Sequence, residues 1–271
     1  MGVFGGKGGG EDRKVPLYIG TSGWQYAHWK ERFYPREVPQ RSWLEYYAEG
    51  FATVECNNAF YRLPELSTFE AWRARVPDGF VMAVKASRYL SHIKRLKDPE
   101  EPVRRLLERA SGLADRLGPI LLQLPPTMKL DLERLDETLA CFPQSVRVAV
   151  EVRHPSWITD DLRRLLERHS AAFCLADSPV RTLPDWRTAN WGYIRFHEGT
   201  ARPRPCYSRA ALSRWVETLA TLFSAGDDVF VYFNNDPEGC AIRDAIRFAD
   251  LGASAGLAPT RVPQRSAVRV A

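Results

Sequence analysis

Eight short apolar runs alternate with helix-period segments along this chain, and no other feature limits its fold so strongly. The runs lie at about 17–21, 52–56, 80–86, 119–124, 147–152, 172–176, 192–197 and 229–234. Helix-period segments lie at about 41–49, 66–75, 100–117, 131–141, 159–169, 208–224 and 239–252. Strands alternating with helices eight times predict a single (β/α)₈ TIM barrel, for which about 250 residues is the usual length. The link from Ser178 to Asn190 shows no helical period, so an irregularity is expected between strands six and seven. The predicted domain spans residues 15–252, with a mobile glycine-rich tail at 1–14 and a C-terminal tail at 253–271. Local signals agree. Ser42 and Glu45 are spaced as a capping box, Asp160 and Asp161 suit a helix N-terminus, and Gly226 ends the long helical segment at 208–224.

Alternation within the strands predicts the site. In VAVEVRHPSW (148–157), Ala149, Glu151 and Arg153 share one face and Val148, Val150 and Val152 the other. The same test groups Thr53, Glu55 and Asn57; Val81, Ala83 and Lys85; Leu121 and Gln123; Phe173, Leu175 and Asp177; Tyr193, Arg195 and His197; and Phe230, Tyr232 and Asn234. Each such face becomes polar toward its C-terminal end, and in a parallel barrel the C-terminal strand ends form the substrate mouth. The expected site gathers Glu55, Lys85, Gln123, Glu151, Arg153, Asp177, Arg195, His197, Tyr232 and Asn234. Loops are expected to add Trp24, Tyr26, Trp29, Asn57, Tyr61, Arg88, His92, His154, Trp157 and Asn235.

In this reading Glu55 and Glu151 are an acid/base pair and His197 carries protons. The competing reading makes the glutamates counter-ions of Lys85, Arg153 and Arg195 in a buried network. Lys85 and the arginines hold an anion; Schiff-base chemistry at Lys85 would require a desolvated amine. No cofactor is expected. The one conceivable metal set, Glu55, Glu151, Asp177 and His197, lacks tight ligand spacing and sits among competing cations. The basic third loop (Arg88, His92, Lys94, Arg95, Lys97) adds to an anion-attracting mouth. The rim aromatics Trp24, Tyr26, Trp29, Tyr61 and Trp157 offer stacking faces.

Several segments resemble the domain-of-unknown-function-72 (YecE-like) family: IGTSGWQYAHWKERFYP, VECNNAFYRLP, FVMAVKASRYLSHIKRL, LLQLPP, AVEVRHPSW, YIRFH and VYFNNDPEGCA, together covering about residues 17–252. The resemblance implies a TIM barrel and no assigned reaction. Cys56, Asn58 and Ala59 depart from the family's VEINSTFY pattern, and Cys240 stands where histidine is common.

The five cysteines are scattered without a CxxC pair, which predicts reduced thiols in a cytoplasmic protein. No opening segment reads as a signal peptide and no apolar run reaches membrane-spanning length, so no membrane partner is expected. The net charge of +5 says little about partners, because residues 1–14 carry +1 and 261–271 carry +3. The expected function is therefore an enzyme, a hydrolase using carboxylate acid/base chemistry on an anionic sugar- or nucleotide-like small molecule. The alternatives are a nucleic-acid-binding protein or repair-type phosphodiesterase, and a non-catalytic small-molecule binder.

Overall fold

A computed structural model describes residues 14–177 and 183–269. The expected glycine-rich tail through residue 13 and residues 178–182 of the irregular link lie outside the described residues. The chain runs β1 (Pro16–Thr21), α1 (Trp43–Gly50), β2 (Thr53–Cys56), α2 (Asn58–Tyr61), α3 (Leu66–Arg73), β3 (Val81–Lys85), α4 (Glu100–Ala110), β4 (Leu117–Gln123) and α5 (Leu132–Ala140). It continues through β5 (Val148–Glu151), α6 (Asp160–Arg168), β6 (Ala172–Asp177), β7 (Trp191–Phe196), α7 (Arg209–Leu222), β8 (Asp228–Phe233), α8 (Cys240–Ser254) and β9 (Ala258–Pro259). Residues 183–190 contain no helix, in keeping with the irregularity expected between strands six and seven. The proposed capping box does not form. Ser42 makes no side-chain cap bond, and Glu45 instead pairs with Arg75 at 2.7 Å.

All strand pairs are parallel, in the order β2-β3-β4-β5-β6-β7-β8-β1-β9. The sheet curls until the C-terminal end of β1 meets β2 at the bridge Ser22–Glu55. The approach is close enough that a Cβ on Gly20 would strike the Thr53 carbonyl, so only glycine fits there. This is the barrel of the sequence reading, with a seam in place of a full β1–β2 ladder.

The seam is sealed by side chains and by the C-terminus. Thr260 N–H donates to the Leu17 carbonyl, and Ile19 N–H donates to Thr260 Oγ1 at 3.3 Å. Thr21 N–H donates to the Tyr47 hydroxyl at 3.0 Å, and that hydroxyl donates to the Thr53 carbonyl at 3.1 Å. Backbone groups that β2 does not reach are thereby satisfied, as buried N–H and C=O groups must be. The expected C-terminal tail is thus corrected: its start is strand β9 beside β1, and Arg261 donates to the Ala48 and Phe51 carbonyls. The sequence suggested a tail because two paired residues are too short to show a strand period. Tyr47→Phe should lower stability by about 1–3 kcal/mol in a urea titration, the cost of stranding buried polar groups. An unchanged midpoint would rule out the seam's dependence on this hydroxyl.

Two apolar layers result. The larger lies between the strands and the helices. The smaller fills the barrel axis with Ala83, Leu121, Ala149, Ala172, Cys174 and Ala176 on one side and Trp191, Tyr193, Phe230 and Tyr232 on the other. Small residues on β3–β6 make room for the aromatic rings of β7 and β8. This floor supports the polar strand ends above it.

Candidate active site

Above the floor, three strands deliver charge to the axis. Arg195, on β7, lies between two glutamates: Nη2 is 2.8 Å from Glu55 Oε1 and Nη1 is 2.6 Å from Glu151 Oε2. All three side chains are almost wholly buried. Glu55 also accepts from the Tyr193 hydroxyl at 2.6 Å. Glu151 accepts from Gln123 Nε2 at 2.7 Å, Arg153 Nε at 3.0 Å and His197 Nε2 at 3.2 Å. Burial alone would raise the Glu151 carboxyl. The Arg195 charge, the His197 hydrogen bond and Arg153 outweigh it and hold the group well below the usual carboxylate range. Glu151 is thus a fixed anion with its lone pairs occupied. The geometry matches the network reading of the two glutamates.

His197 is similarly engaged. Its Nε2 faces Glu151 and its Nδ1 lies 3.2 Å from Asn234 Nδ2. Both ring nitrogens have partners, and the Nε2 contact helps fix Glu151.

The cavity opens over this network. Its volume is about 680 Å³. Lys85, Arg88, Arg153 and Arg195 supply cationic lining, with His92, Gln123, Asn57, Asn234, Tyr26 and Tyr61 among the other lining groups. Among the described residues, the lining contains no aspartate, glutamate, serine, threonine or cysteine. The two glutamates lie beneath it. The mouth therefore presents cations upward while their counter-charges stay below.

Lys85 differs from its neighbours. It is 8% exposed, yet among the described residues it has no ion-pair or hydrogen-bond partner. Its Nζ sits 4.1 Å from the centre of the Phe60 ring. Burial, followed by the Arg195 charge, pulls its ammonium down to about 8. Because the folded state disfavours the protonated form, Lys85 adds stability as pH rises from about 8 toward the value of an unfolded lysine. His92 is also pulled down, by burial and by the Lys85 charge.

Several expected site residues are placed elsewhere. Asp177 points outward and accepts from Trp215 Nε1 at 3.1 Å, so it joins neither the mouth nor the conceived metal set. The strand-six phase was reversed: Ala172, Cys174 and Ala176 face the axis, while Phe173 and Leu175 face the outer core. Both faces of this strand are apolar, so Asp177 alone set the phase, and set it wrongly. Among the described residues, no three His, Cys, Asp or Glu side chains are grouped to hold a metal.

The loop residues divide in the same way. His154 turns back onto its own loop, Nδ1 to Ser156 Oγ at 2.8 Å. Trp157 is fully buried and donates to the Met128 carbonyl, so it is a packing residue and not a rim platform. Trp29 is also fully buried. Trp24 touches the cavity but is 2% exposed and packs edge-on against Trp72. Tyr232 is below the mouth, its hydroxyl 2.7 Å from Thr53 Oγ1. Asn235 ties Asp244 and the Pro205 carbonyl, outside the cavity. Tyr61, at 73% exposed, stands on the rim.

Sequence reasoning missed Tyr193, Phe60, Asn58 and Gln25. Tyr193 shares its face with Arg195 but lies at the apolar start of that face. Phe60 carries no polar signal, and Asn58 departs from the family pattern. Asn58 Nδ2 donates to Gln25 Oε1 at 3.1 Å, fixing the cavity's edge.

The family comparison follows from these motifs and this barrel. The family model described as "Protein of unknown function DUF72" matches residues 18–267. The chain belongs to the DUF72 family. UPF0759 protein YecE of Escherichia coli K12 is 33% identical over 142 residues, which is 52% of this chain and 50% of YecE. That match thus spans half the length of the relative. UPF0759 protein YunF of Bacillus subtilis is 24% identical over 282 residues, covering 91% of this chain and 99% of YunF. A DUF72 family crystal structure from Thermotoga maritima (TM1631) aligns at a TM-score of 0.78 with 28% identity, covering 87% of this chain and 98% of that one. A DUF72 structure from Enterococcus faecalis (EF0366), at 18% identity and a TM-score of 0.74, covers 88% and 95% and shows the shared fold alone.

One further expectation is overturned. Cys206 and Cys240 form a disulfide, with Cα atoms 4.9 Å apart, joining the β7–α7 loop to the start of α8. They are 34 residues apart in sequence, a spacing that carries no signal. The argument from reduced thiols to a cytoplasmic location therefore fails. Among the described residues, no helix is long and apolar enough to cross a membrane.

Proposed function

We propose that the mouth is the active site of an enzyme that takes a small anionic sugar- or nucleotide-like substrate. The supporting observation is the sorting of charge: Lys85, Arg88, Arg153 and Arg195 line the cavity, and Glu55 and Glu151 lie below it. Anchored guanidiniums are suited to a phosphate or carboxylate, which they can grip with paired hydrogen bonds. A cavity of about 680 Å³ is of small-molecule size. Among the described residues, Arg195 Nε and Asn57 Oδ1 are buried without a hydrogen-bond partner, and both residues line the cavity.

Proton transfer by the glutamates finds little support in this geometry. Hydrolysis of such a substrate would have Lys85 take the proton from water, since Lys85 and His92 are the lining groups shifted toward neutrality. A nucleic-acid reading has one favourable feature, the exposed rings of Tyr61 and Tyr89 near Arg88. It would show as DNA or RNA binding that falls steeply with salt.

The direct test is a thermal-shift titration with inorganic phosphate, sugar phosphates and nucleoside monophosphates. A ligand at 100 times its Kd should add about 2.7 kcal/mol of apparent stability. Arg153→Ala and Arg88→Ala should each weaken that response about tenfold or more, the loss of a charge-assisted contact. Failure of every anion to stabilise the wild type would overturn the reading.

A further inference from the structure

We propose that Lys85 is a nucleophile that forms an imine with a small aldehyde or ketone bearing a phosphate or carboxylate. The inference rests on the anion-binding reading above and names the substrate class and the reacting atom. Three observations carry it. First, Lys85 ends β3 at the cavity wall and, among the described residues, is buried with no carboxylate in contact, whereas buried Arg195 has Glu55 and Glu151 and half-buried Arg153 has Glu151. Second, the Phe60 ring covers one side of the amine, which limits its hydration. Third, the described lining offers no hydroxyl of serine or threonine, no thiol and no carboxylate to compete as nucleophile.

An unpaired buried ammonium is costly, whereas the neutral amine is not. The lysine pulled down to about 8 by burial is in keeping with that preference. A neutral amine has a free lone pair, as imine-forming lysines require. Arg88 and Arg153 line the same cavity and would hold the anionic end of the substrate, fixing its carbonyl near Nζ.

The step balances without a redox partner. The Nζ lone pair forms a bond to the carbonyl carbon, and the carbonyl π pair moves to oxygen, which takes a proton. Nζ gives up a proton to leave a neutral carbinolamine. Its hydroxyl is protonated and departs as water, while the nitrogen lone pair completes the C=N bond of an iminium, and the nitrogen then releases its remaining proton to give the imine. Amine plus carbonyl gives imine plus water.

The experiment is reductive trapping on the full chain. The protein is incubated with glyceraldehyde 3-phosphate, or with glyceraldehyde, and reduced with cyanoborohydride; the adduct is then located by peptide mass mapping. The expected result is a secondary-amine adduct at Lys85, at least tenfold more with the phosphorylated aldehyde, suppressed by inorganic phosphate. Its rate should rise with pH through about 8. The other six lysines serve as internal controls. Lys85→Met should lose the adduct, and wild-type mapping identifies the site even if that variant folds poorly. Labelling of Lys85 no greater than that of the surface lysines, or equal with and without the phosphate, overturns the proposal. If phosphate raises the melting temperature but Lys85 is not trapped, the imine fails and the anion-binding reading stands. If neither occurs, both fail.

Discussion

Arg195→Leu should cost about 3–5 kcal/mol of folding stability, because removing one member of a buried ion network leaves the others uncompensated. Glu151 would keep Gln123, Arg153 and His197, but Glu55 would keep only the Tyr193 hydroxyl. Urea midpoints of the variant and the wild type measure the loss. A loss below about 1 kcal/mol would mean the guanidinium is not the keystone of the mouth.

Glu151→Ala should be comparably severe, again about 3–5 kcal/mol, since Arg195 and Arg153 would lose a shared acceptor beneath the cavity. Its effect should depend on pH. The folded Glu151 carboxyl is held below its unfolded value, by the Arg195 charge, His197 and Arg153 against the opposing effect of burial. Its stabilisation is present above the unfolded pKa and is lost as pH falls toward the folded one. The gap between wild type and variant should be full at pH 7 and shrink in acid. A gap that stays constant down to pH 3 would show that Glu151 contributes packing and not charge.

The two variants separate what a catalytic reading of the glutamates would merge. If Glu55 and Glu151 were proton carriers, their loss would remove activity and spare the fold. As counter-ions, their loss disorders the cations that line the mouth. Stability is the quantity that moves first.

The alternation of side chains along β2, β3, β4, β5, β7 and β8 was legible because each strand has one face that turns polar at its end. That pattern placed Glu55, Lys85, Gln123, Glu151, Arg153, Arg195 and Asn234 at one end of a barrel before any coordinates. Strand β6 failed the same test because Ala-Phe-Cys-Leu-Ala is apolar on both faces, and two phases were equally good. Loops failed more often. Trp157 and His154 follow β5 closely, yet one packs into the core and the other bonds within its own turn. Loop side chains have no period, so nothing local sets their direction.

The sequence by itself determined the family, through its motifs, and the barrel and most of the charges at its mouth, because strand period and helix period are properties of the local chain. Only the tertiary structure decided how those charges pair. Arg195 lies 140 residues from Glu55 and 44 from Glu151, and their contacts exist because barrel curvature brings β2, β5 and β7 to one axis. The same curvature leaves Lys85 without a carboxylate in contact among the described residues. Pairing depends on distances across the barrel, and those are set by strand order, register and closure of the seam, not by any stretch of neighbouring residues.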